Sequence, residues 1–474
     1  MSDDTRESLD YLYDRLDYER LGMPRSPADL GLGRMRRLLR AMGDPQDGLR
    51  IVHVAGTKGK GSTAAMIAAA AGAAGLRVGL FTSPHLHRLE ERFQVDGREA
   101  TAAELDDLTR SVRPFVDRLD RDDSRFLGFG ATFFEITTAM GLLHFARRGA
   151  GLVVLEVGMG GRLDSTNAVR PILSVLTTIS FDHTRLLGTT LAAIAAEKAG
   201  IVKRGRPVIS GVRGPEARAV IEATARSRRS PLRRIDVDFG YDYEPPAPPL
   251  SRPTAGRVRV TTWRSDWGEV AVPLLGEHQA LNATVALAAL DALGEAGVEV
   301  GAAAVARGFA GMRWPARTEI LGERPWVVVD GAHNPASAAA LAETLRTSFP
   351  EGPRTLLFGT TRDKDCRQQL EALLPGFARV ICTRYANNPR ALPPDDVAEI
   401  VAGLGHPRPL VVDGVASALD LARSLTPPDG LICVTGSLFL AAELRALILG
   451  LASDPSVPGR SPADRPGRMD PQTP

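Results

Sequence analysis

Val54-Ala55-Gly56-Thr57-Lys58-Gly59-Lys60-Gly61-Ser62-Thr63 follows a short apolar run, Arg50 to Val54, and opens a small-residue stretch of helical character, Ser62 to Ala74. Glycines between a strand and a helix let the backbone curl until its N–H groups face a phosphate, and the helix N-terminus adds positive potential. Lys60 is long enough to reach terminal phosphates, and a hydroxyl from Ser62 or Thr63 can help hold magnesium. The stretch departs from GxxxxGK[ST] at two places: Val54 stands at the first glycine, and Gly61 fills the slot of the Ser or Thr. Its strand–loop–helix setting nevertheless makes a phosphate-binding loop the better reading, and it fixes the first half of the chain as α/β.

Outward from the loop, Arg77 to Phe81, Leu152 to Val157 and Ile172 to Ile179 read as further buried strands separated by helical patterns. Short apolar runs alternating with helices predict a parallel sheet covered by helices. The pattern restarts after residue 320, where Trp326 to Val329, Thr355 to Phe358, Arg379 to Cys382, Leu410 to Val412 and Leu431 to Val434 each look like buried strands. Helix-like stretches such as Ala336 to Leu345 and Leu438 to Leu449 lie among them. The fold class expected is therefore α/β: a P-loop-type parallel-sheet ATPase domain over residues 1–312, then a smaller Rossmann-like domain over 313–450. The boundary falls within Gly311 to Leu321. Proline-rich Tyr241 to Thr254 reads as a surface loop, and Ser453 to Pro474, with almost nothing apolar, as a disordered tail.

Bulk properties narrow the function. The 474 residues are too many for one ordinary core, and 44% hydrophobic with 24% charged is a globular composition. A net charge of +2 gives no global field for nucleic acid or an anionic membrane. Met1 to Leu21 is too charged for a secretory core, and no apolar run is long enough to span a bilayer. Cys366, Cys382 and Cys433 lie far apart and make no CxxC pair, so a reducing cytoplasm is expected. Nothing demands an oligomer, and a monomer is expected.

Polar residues gather where strands end. The run Leu152 to Leu155 closes on Glu156, Ser180-Phe181-Asp182-His183-Thr184 follows the strand ending at Ile179, and Ser83 follows the one ending at Phe81. Open α/β sheets build their sites at that carboxyl edge. Ser83, Glu156 and neutral His183 could give magnesium a few ligands, with phosphate oxygens and water completing the shell. Asp363-Lys364-Asp365 lacks the Asn that guanine-reading loops place before the Lys, which argues against a GTPase. Lys198 sits in Ala196-Glu197-Lys198-Ala199-Gly200-Ile201, where a lysine would ordinarily be a solvated surface charge.

Taken in order, these motifs resemble the folylpolyglutamate synthase and dihydrofolate synthase family, relatives of the ligases that build the peptidoglycan peptide. The resemblance runs from about Tyr11 to Leu449. It rests on HVAGTKGKGSTA (His53 to Ala64), FTSPHL (Phe81 to Leu86), LEVGMGGRLDSTN (Leu155 to Asn167), DHTRLLG (Asp182 to Gly188), EKAGI (Glu197 to Ile201), GEHQALNA (Gly276 to Ala283), DGAHNP (Asp330 to Pro335) and VTGSLF (Val434 to Phe439). It implies an ATP- and magnesium-dependent ligase that joins L-glutamate to folate, and to dihydropteroate, through an acyl phosphate.

The resemblance also implies roles for individual residues. Gly59, Lys60, Gly61 and Ser62 would bind the ATP phosphates, and Ser83, Glu156 and His183 the magnesium. Lys198 would carry a carbamate beside the metal. Gln279 and Asn282 would face the adenine, and Arg317 would reach the phosphates across the boundary. Asp330 and His333 would bring the second domain onto the nucleotide. Phe134, Leu163, Asp164 and Ser165 would line the pterin side, with Asp29-Leu30-Gly31 beside them. Three places depart from the family pattern: Lys58 stands where Asn is common, Ala316 where Gly is usual, and Gly359 to Asp365 keeps only the end of its motif. Two rivals stand beside this reading. A sibling ligase would act on a muramyl peptide or another carboxylate acceptor, and a nucleotide-binding regulator would need only the loop.

Overall fold

The computed structural model describes residues 3–21, 31–123, 130–386, 388–407 and 409–451. The expected tail, Ser453 to Pro474, and the Asp29-Leu30 pair lie outside the described residues.

Two sheets organise the chain. The first has eight strands in the spatial order Arg98–Glu99, Phe93–Val95, Val78–Phe81, Leu152–Glu156, Ile51–Ala55, Leu173–Leu176, Val208–Ser210, Leu232–Arg234. The last six are parallel, and the first two add an antiparallel hairpin at one edge. Ile51–Ala55 is central and buried at every residue, as a run with no polar face except His53 must be. The loop helix, Lys60–Ala73, is almost entirely Ala, Met and Ile where it is buried, and small side chains let it lie close between the sheet and the helices Glu277–Glu295 and Ala302–Gly311. The opposite face is covered by the helices Leu32–Ala41, Ala102–Asp123 and Phe133–Arg147.

A three-stranded antiparallel sheet, Phe239–Glu244, Arg257–Thr262 and Asp266–Val270, was not expected from the sequence. It corrects the reading of Tyr241 to Thr254 as loop throughout, because the first four of those residues finish a strand. Its middle strand alternates exposed and buried, with Val258 and Val260 packed onto the Glu277–Glu295 helix.

The second sheet runs Glu319–Glu323, Trp326–Val329, Leu431–Thr435, Arg354–Phe358, Arg379–Cys382, Leu410–Val411, parallel except for its first strand. Leu410 to Val412 was expected to be buried. Leu410 and Val411 are instead 42% and 43% exposed, since the strand is two residues long and closes the sheet edge. Between the sheets, Ala316 and Thr318 both take left-handed backbone (φ 54° and 48°), which bends the connection sharply around Arg317. No described helix is long and apolar enough to cross a membrane.

Candidate functional site

The loop is shaped by its neighbours. Gly59 caps the helix at φ 81°, and a Cβ there would lie 2.1 Å from Asn282 Oδ1. A Cβ on Gly56 would meet Thr177 Oγ1 at 1.9 Å. Thr177 and Thr178 hydroxyls both donate to Lys58 O (2.6 and 3.0 Å), and Thr57 N donates to Thr178 O at 2.7 Å, so the strand ending at Leu176 clamps the turn. At Gly61 a Cβ would stand 3.0 Å from Trp314 Cζ2 and 3.4 Å from Glu156 Oε2. That crowding is the physical reason the Ser or Thr of the simple pattern is replaced by glycine here.

Glu156 ends its strand beside the loop and accepts from Ser83 N at 3.2 Å. Burial raises its carboxyl pKa, against the opposing charge of Lys60. Ser83 Oγ is buried without a hydrogen-bond partner among the described residues. His183, in left-handed backbone at φ 50°, is lowered to about 4 by burial and is therefore neutral. A carboxylate, an unused hydroxyl and a neutral imidazole are donor types that a hard cation takes together with phosphate and water. Among the described residues no three His, Cys, Asp or Glu side chains cluster as a self-sufficient metal cage.

Lys198 is not the solvated lysine its type would favour. It is 5% exposed, and its Nζ donates to Gly56 O at 3.0 Å. Burial, helped by the charge of Lys60, lowers it to about 7. Gln279 and Asn282 are buried together, Asn282 Nδ2 donating to Gln279 Oε1 at 2.9 Å directly behind Gly59. Asp330 spends both oxygens on backbone, accepting from Thr318 N and Ala332 N at 2.7 Å each. It therefore pins the bent connection that carries Arg317, whose Nη1 donates to Ala316 O at 2.8 Å.

The two halves meet over a residue that sequence reasoning did not single out. Asp182 accepts from Lys58 (3.0 Å) on its own half and from Lys364 (2.9 Å) and Asn334 (3.0 Å) on the other. Burial would raise its pKa, but Lys58, His183 and Lys364 outweigh that and hold it far below the carboxylate range. Lys58 also donates to His333 Nε2 at 3.0 Å, while His333 Nδ1 donates to Gly331 O at 2.9 Å, which fixes a neutral ring. Burial and the charges of Lys58 and Lys364 keep it well below the ordinary histidine value. The only advance signal was adjacency: Asp182 precedes His183, and Lys364 sits in the Asp-Lys-Asp run. Nothing in the spacing showed that they meet.

A cavity of about 360 Å³ opens at this junction. Phe134, Leu163, Asp164 and Ser165 line one wall, and Ser83, His183, His333 and Lys364 lie around the rest. Asp164 is engaged with Met159 N (2.8 Å) and Thr166 N (3.0 Å), so it shapes the wall as much as it faces the space. A second hollow lies at the amino edge of the second sheet, beside Arg324, Arg379 and Arg423, and holds none of the expected residues.

Both halves have counterparts among known proteins. Residues 130–290 match the Mur ligase middle domain, and residues 316–438 the Mur ligase glutamate ligase domain. The chain is 36% identical over 421 residues to folylpolyglutamate synthase of Lacticaseibacillus casei, covering 88% of this chain and 94% of that protein. It is 36% identical over 440 residues to a probable bifunctional folylpolyglutamate synthase/dihydropteroate synthase of Haloferax volcanii, covering 93% of this chain but only half the length of that protein. A solved Mycobacterium tuberculosis folylpolyglutamate synthase complexed with ADP superposes with a TM-score of 0.85 at 31% identity, covering 94% of this chain and 98% of the other.

Proposed function

The chain belongs to the folylpolyglutamate synthase/dihydrofolate synthase family of Mur-type ligases, and on that premise we propose that it uses ATP to join L-glutamate to folate and to dihydropteroate. The observation that carries this reading is the cavity itself. It is apolar and aromatic at Phe134 and Leu163, as a pterin requires, and it reaches Ser83 and His183 beside the phosphate loop.

The chemistry is one of positioning. A carboxylate does not acylate an amine because its leaving group would be oxide. Transfer of the γ-phosphoryl group of ATP to the acceptor carboxylate gives an acyl phosphate. The glutamate amine attacks the acyl carbon, and the tetrahedral adduct expels phosphate as the new amide forms. Lys60 and Arg317 spread the charge of the transferring group. Magnesium, held by Ser83, Glu156 and His183, would neutralise phosphate charge when bound. Lys198, lowered to about 7, holds much of its amine neutral at ordinary pH. That amine can add to carbon dioxide and lose a proton, leaving a carbamate anion where a cation would otherwise oppose the metal. Gln279 and Asn282 are assigned to the adenine, Asp330 and His333 to holding the second half against the nucleotide. We place the domain boundary between residues 312 and 313, within the stretch Gly311 to Leu321, and take the active unit as a monomer. Three buried, unbridged cysteines suit a reducing cytoplasm.

Phosphate release with ATP, magnesium and glutamate, comparing dihydropteroate, tetrahydrofolate and no acceptor, tests the proposal. Release with both acceptors, lost in Lys60→Ala, is the expected result. Release with one narrows the chain to a single synthase. Release with neither overturns the folate assignment in favour of another carboxylate acceptor.

A further inference from the structure

His53 is the one polar side chain in the central strand Ile51–Ala55, and it is fully buried. Alternation along the strand puts it on the face of Ile51, toward the helices Leu32–Ala41 and Phe133–Arg147, while Val52 and Val54 face the loop helix. Burial and the charge of Lys203 lower the imidazole to about 3, so it is neutral at any ordinary pH. Its Nε2 lies 2.9 Å from Thr166 Oγ1, and its Nδ1 is buried with no hydrogen-bond partner among the described residues. A polar ring in an apolar strand has given up its water for that single contact.

Thr166 passes the contact on. Its hydroxyl donates to Asp164 Oδ1, which also accepts from Thr166 N at 3.0 Å, while Oδ2 accepts from Met159 N at 2.8 Å. Burial raises the Asp164 carboxyl pKa, and the donors of Met159 and Thr166 oppose it, as the surroundings of an anion do. A hydroxyl has one proton. Spent on Asp164, it leaves Thr166 Oγ1 an acceptor toward His53, so the ring proton sits on Nε2. The other tautomer would turn the hydroxyl away from Asp164 and bury an N–H at Nδ1 with nothing to receive it, and an orphaned N–H is rarer than an orphaned acceptor.

Asp164 lines the junction cavity. A carboxylate offers about four lone-pair positions, and the donors of Met159 and Thr166 leave room for one more, on Oδ2. A pterin ring presents N–H donors along one edge, which a carboxylate fixed in the wall can accept. We propose that His53 is a positioning residue for the pterin end of the acceptor: it turns the Thr166 hydroxyl onto Asp164 and so holds that carboxylate in place for a ring N–H. The inference rests on the folate reading of the cavity. Because His53 stands on the strand that runs into the phosphate loop, the acceptor wall and the loop are tied to one element.

Binding of dihydropteroate and of tetrahydrofolate, titrated with ADP present and glutamate absent, tests this without turnover. His53→Leu removes the donor at similar volume, and Thr166→Val removes the hydroxyl. Each should weaken both pterins roughly fivefold to tenfold, the size of one ordinary hydrogen bond, with ADP affinity at the wild-type value. The double variant should bind no more weakly than Thr166→Val alone, because the two residues act through one chain of contacts. His53→Gln, whose amide nitrogen reaches the position of Nε2, and Thr166→Ser should each recover most of the affinity; the Thr166 pair also serves if His53→Leu folds poorly. Wild-type pterin binding in His53→Leu, equal loss in the Leu and Gln variants, or parallel loss of ADP would overturn the proposal and leave His53 a contact of the core. Wild-type chain that binds neither pterin would instead overturn the folate reading of the cavity, and this role with it.

Discussion

At the residue scale, the loop glycines and the buried lysine make separable demands. Gly59 combines left-handed backbone with a 2.1 Å approach to Asn282 Oδ1, so a methyl group there faces strain and collision at once. Gly59→Ala should weaken ADP binding by at least about tenfold, corresponding to a cost of about 1–2 kcal/mol at the helix cap, while the chain still folds; a calorimetric titration beside a melting curve separates the two effects. Lys198 makes a prediction whose sign follows from burial. Its pKa is about 7 in the folded chain against 10.5 when exposed. Below pH 7 both states are protonated and the folded chain bears the full cost of a buried ammonium. Between 7 and 10.5 only the unfolded chain keeps the proton, so stability rises with pH. Urea midpoints of Lys198→Met in carbonate-free buffer should therefore exceed wild type below pH 7, with the gap closing as pH rises. A constant gap across that range would contradict the buried-ammonium account. The sequence could not announce this lysine, because burial of a charged side chain is decided by the strand and loop packed over it, not by its neighbours in the chain. Ser83, Glu156 and His183 could be nominated from the sequence for the opposite reason: Glu156 ends an apolar strand, Ser83 stands two residues past another, and His183 lies in the loop after a third.

At the scale of elements, apolar runs announced their strands and polar ones did not. Ile51–Ala55 and Leu431–Thr435 are buried throughout and were visible as apolar runs, the first interrupted only by His53 and the second closed by Thr435. Arg257–Thr262 and Asp266–Val270 have one wet face and many charged residues, so their alternation was lost beside the proline-rich stretch. What holds this small sheet down is Asp291 on the Glu277–Glu295 helix. Its carboxylate accepts from Thr262 Oγ1, from Ser265 Oγ at 2.8 Å and from Trp267 Nε1 at 3.1 Å. Asp291→Ala strands Ser265 Oγ and Trp267 Nε1, leaving Thr262 Oγ1 only the Ser265 carbonyl at 3.3 Å, and should cost about 1–3 kcal/mol in urea unfolding. Asp291→Asn, which retains an oxygen acceptor, should lose less. Because the same helix carries Gln279 and Asn282 behind the loop, the alanine variant should also weaken nucleotide binding modestly. Unchanged protection of the sheet amides from exchange in Asp291→Ala would show that apolar packing alone holds it.

At the scale of the whole molecule, the order of the two α/β halves was readable but their mutual placement was not, because it depends on contacts between residues far apart in the chain. Two such contacts bear on acidification. One is Asp182 with Lys58, Lys364 and Asn334. The other joins His87 of the first half to Arg445 of the second, where Arg445 Nη1 donates to His87 Nε2 at 2.9 Å while its Nε is held by Glu319. His87 must be neutral to accept, and burial together with the Arg445 charge lowers it to about 4, with Glu319 and Glu99 opposing and Arg88 reinforcing. The unfolded value is near 6.5, so this contact contributes fully above pH 6.5 and is lost as pH falls through 4. His333, kept neutral on the Lys58 contact, carries the same sign. His53, buried within the first half, is lowered further, to about 3. The two halves should therefore part before the first core gives way on acidification. Small-angle scattering between pH 7 and 3.5 should show the radius of gyration rising before the secondary structure is lost. In His87→Gln, where an amide oxygen accepts from Arg445 without titrating, that rise should move to lower pH, only partly because His333 still titrates. The same onset in wild type and His87→Gln would place the acid-sensitive contact elsewhere.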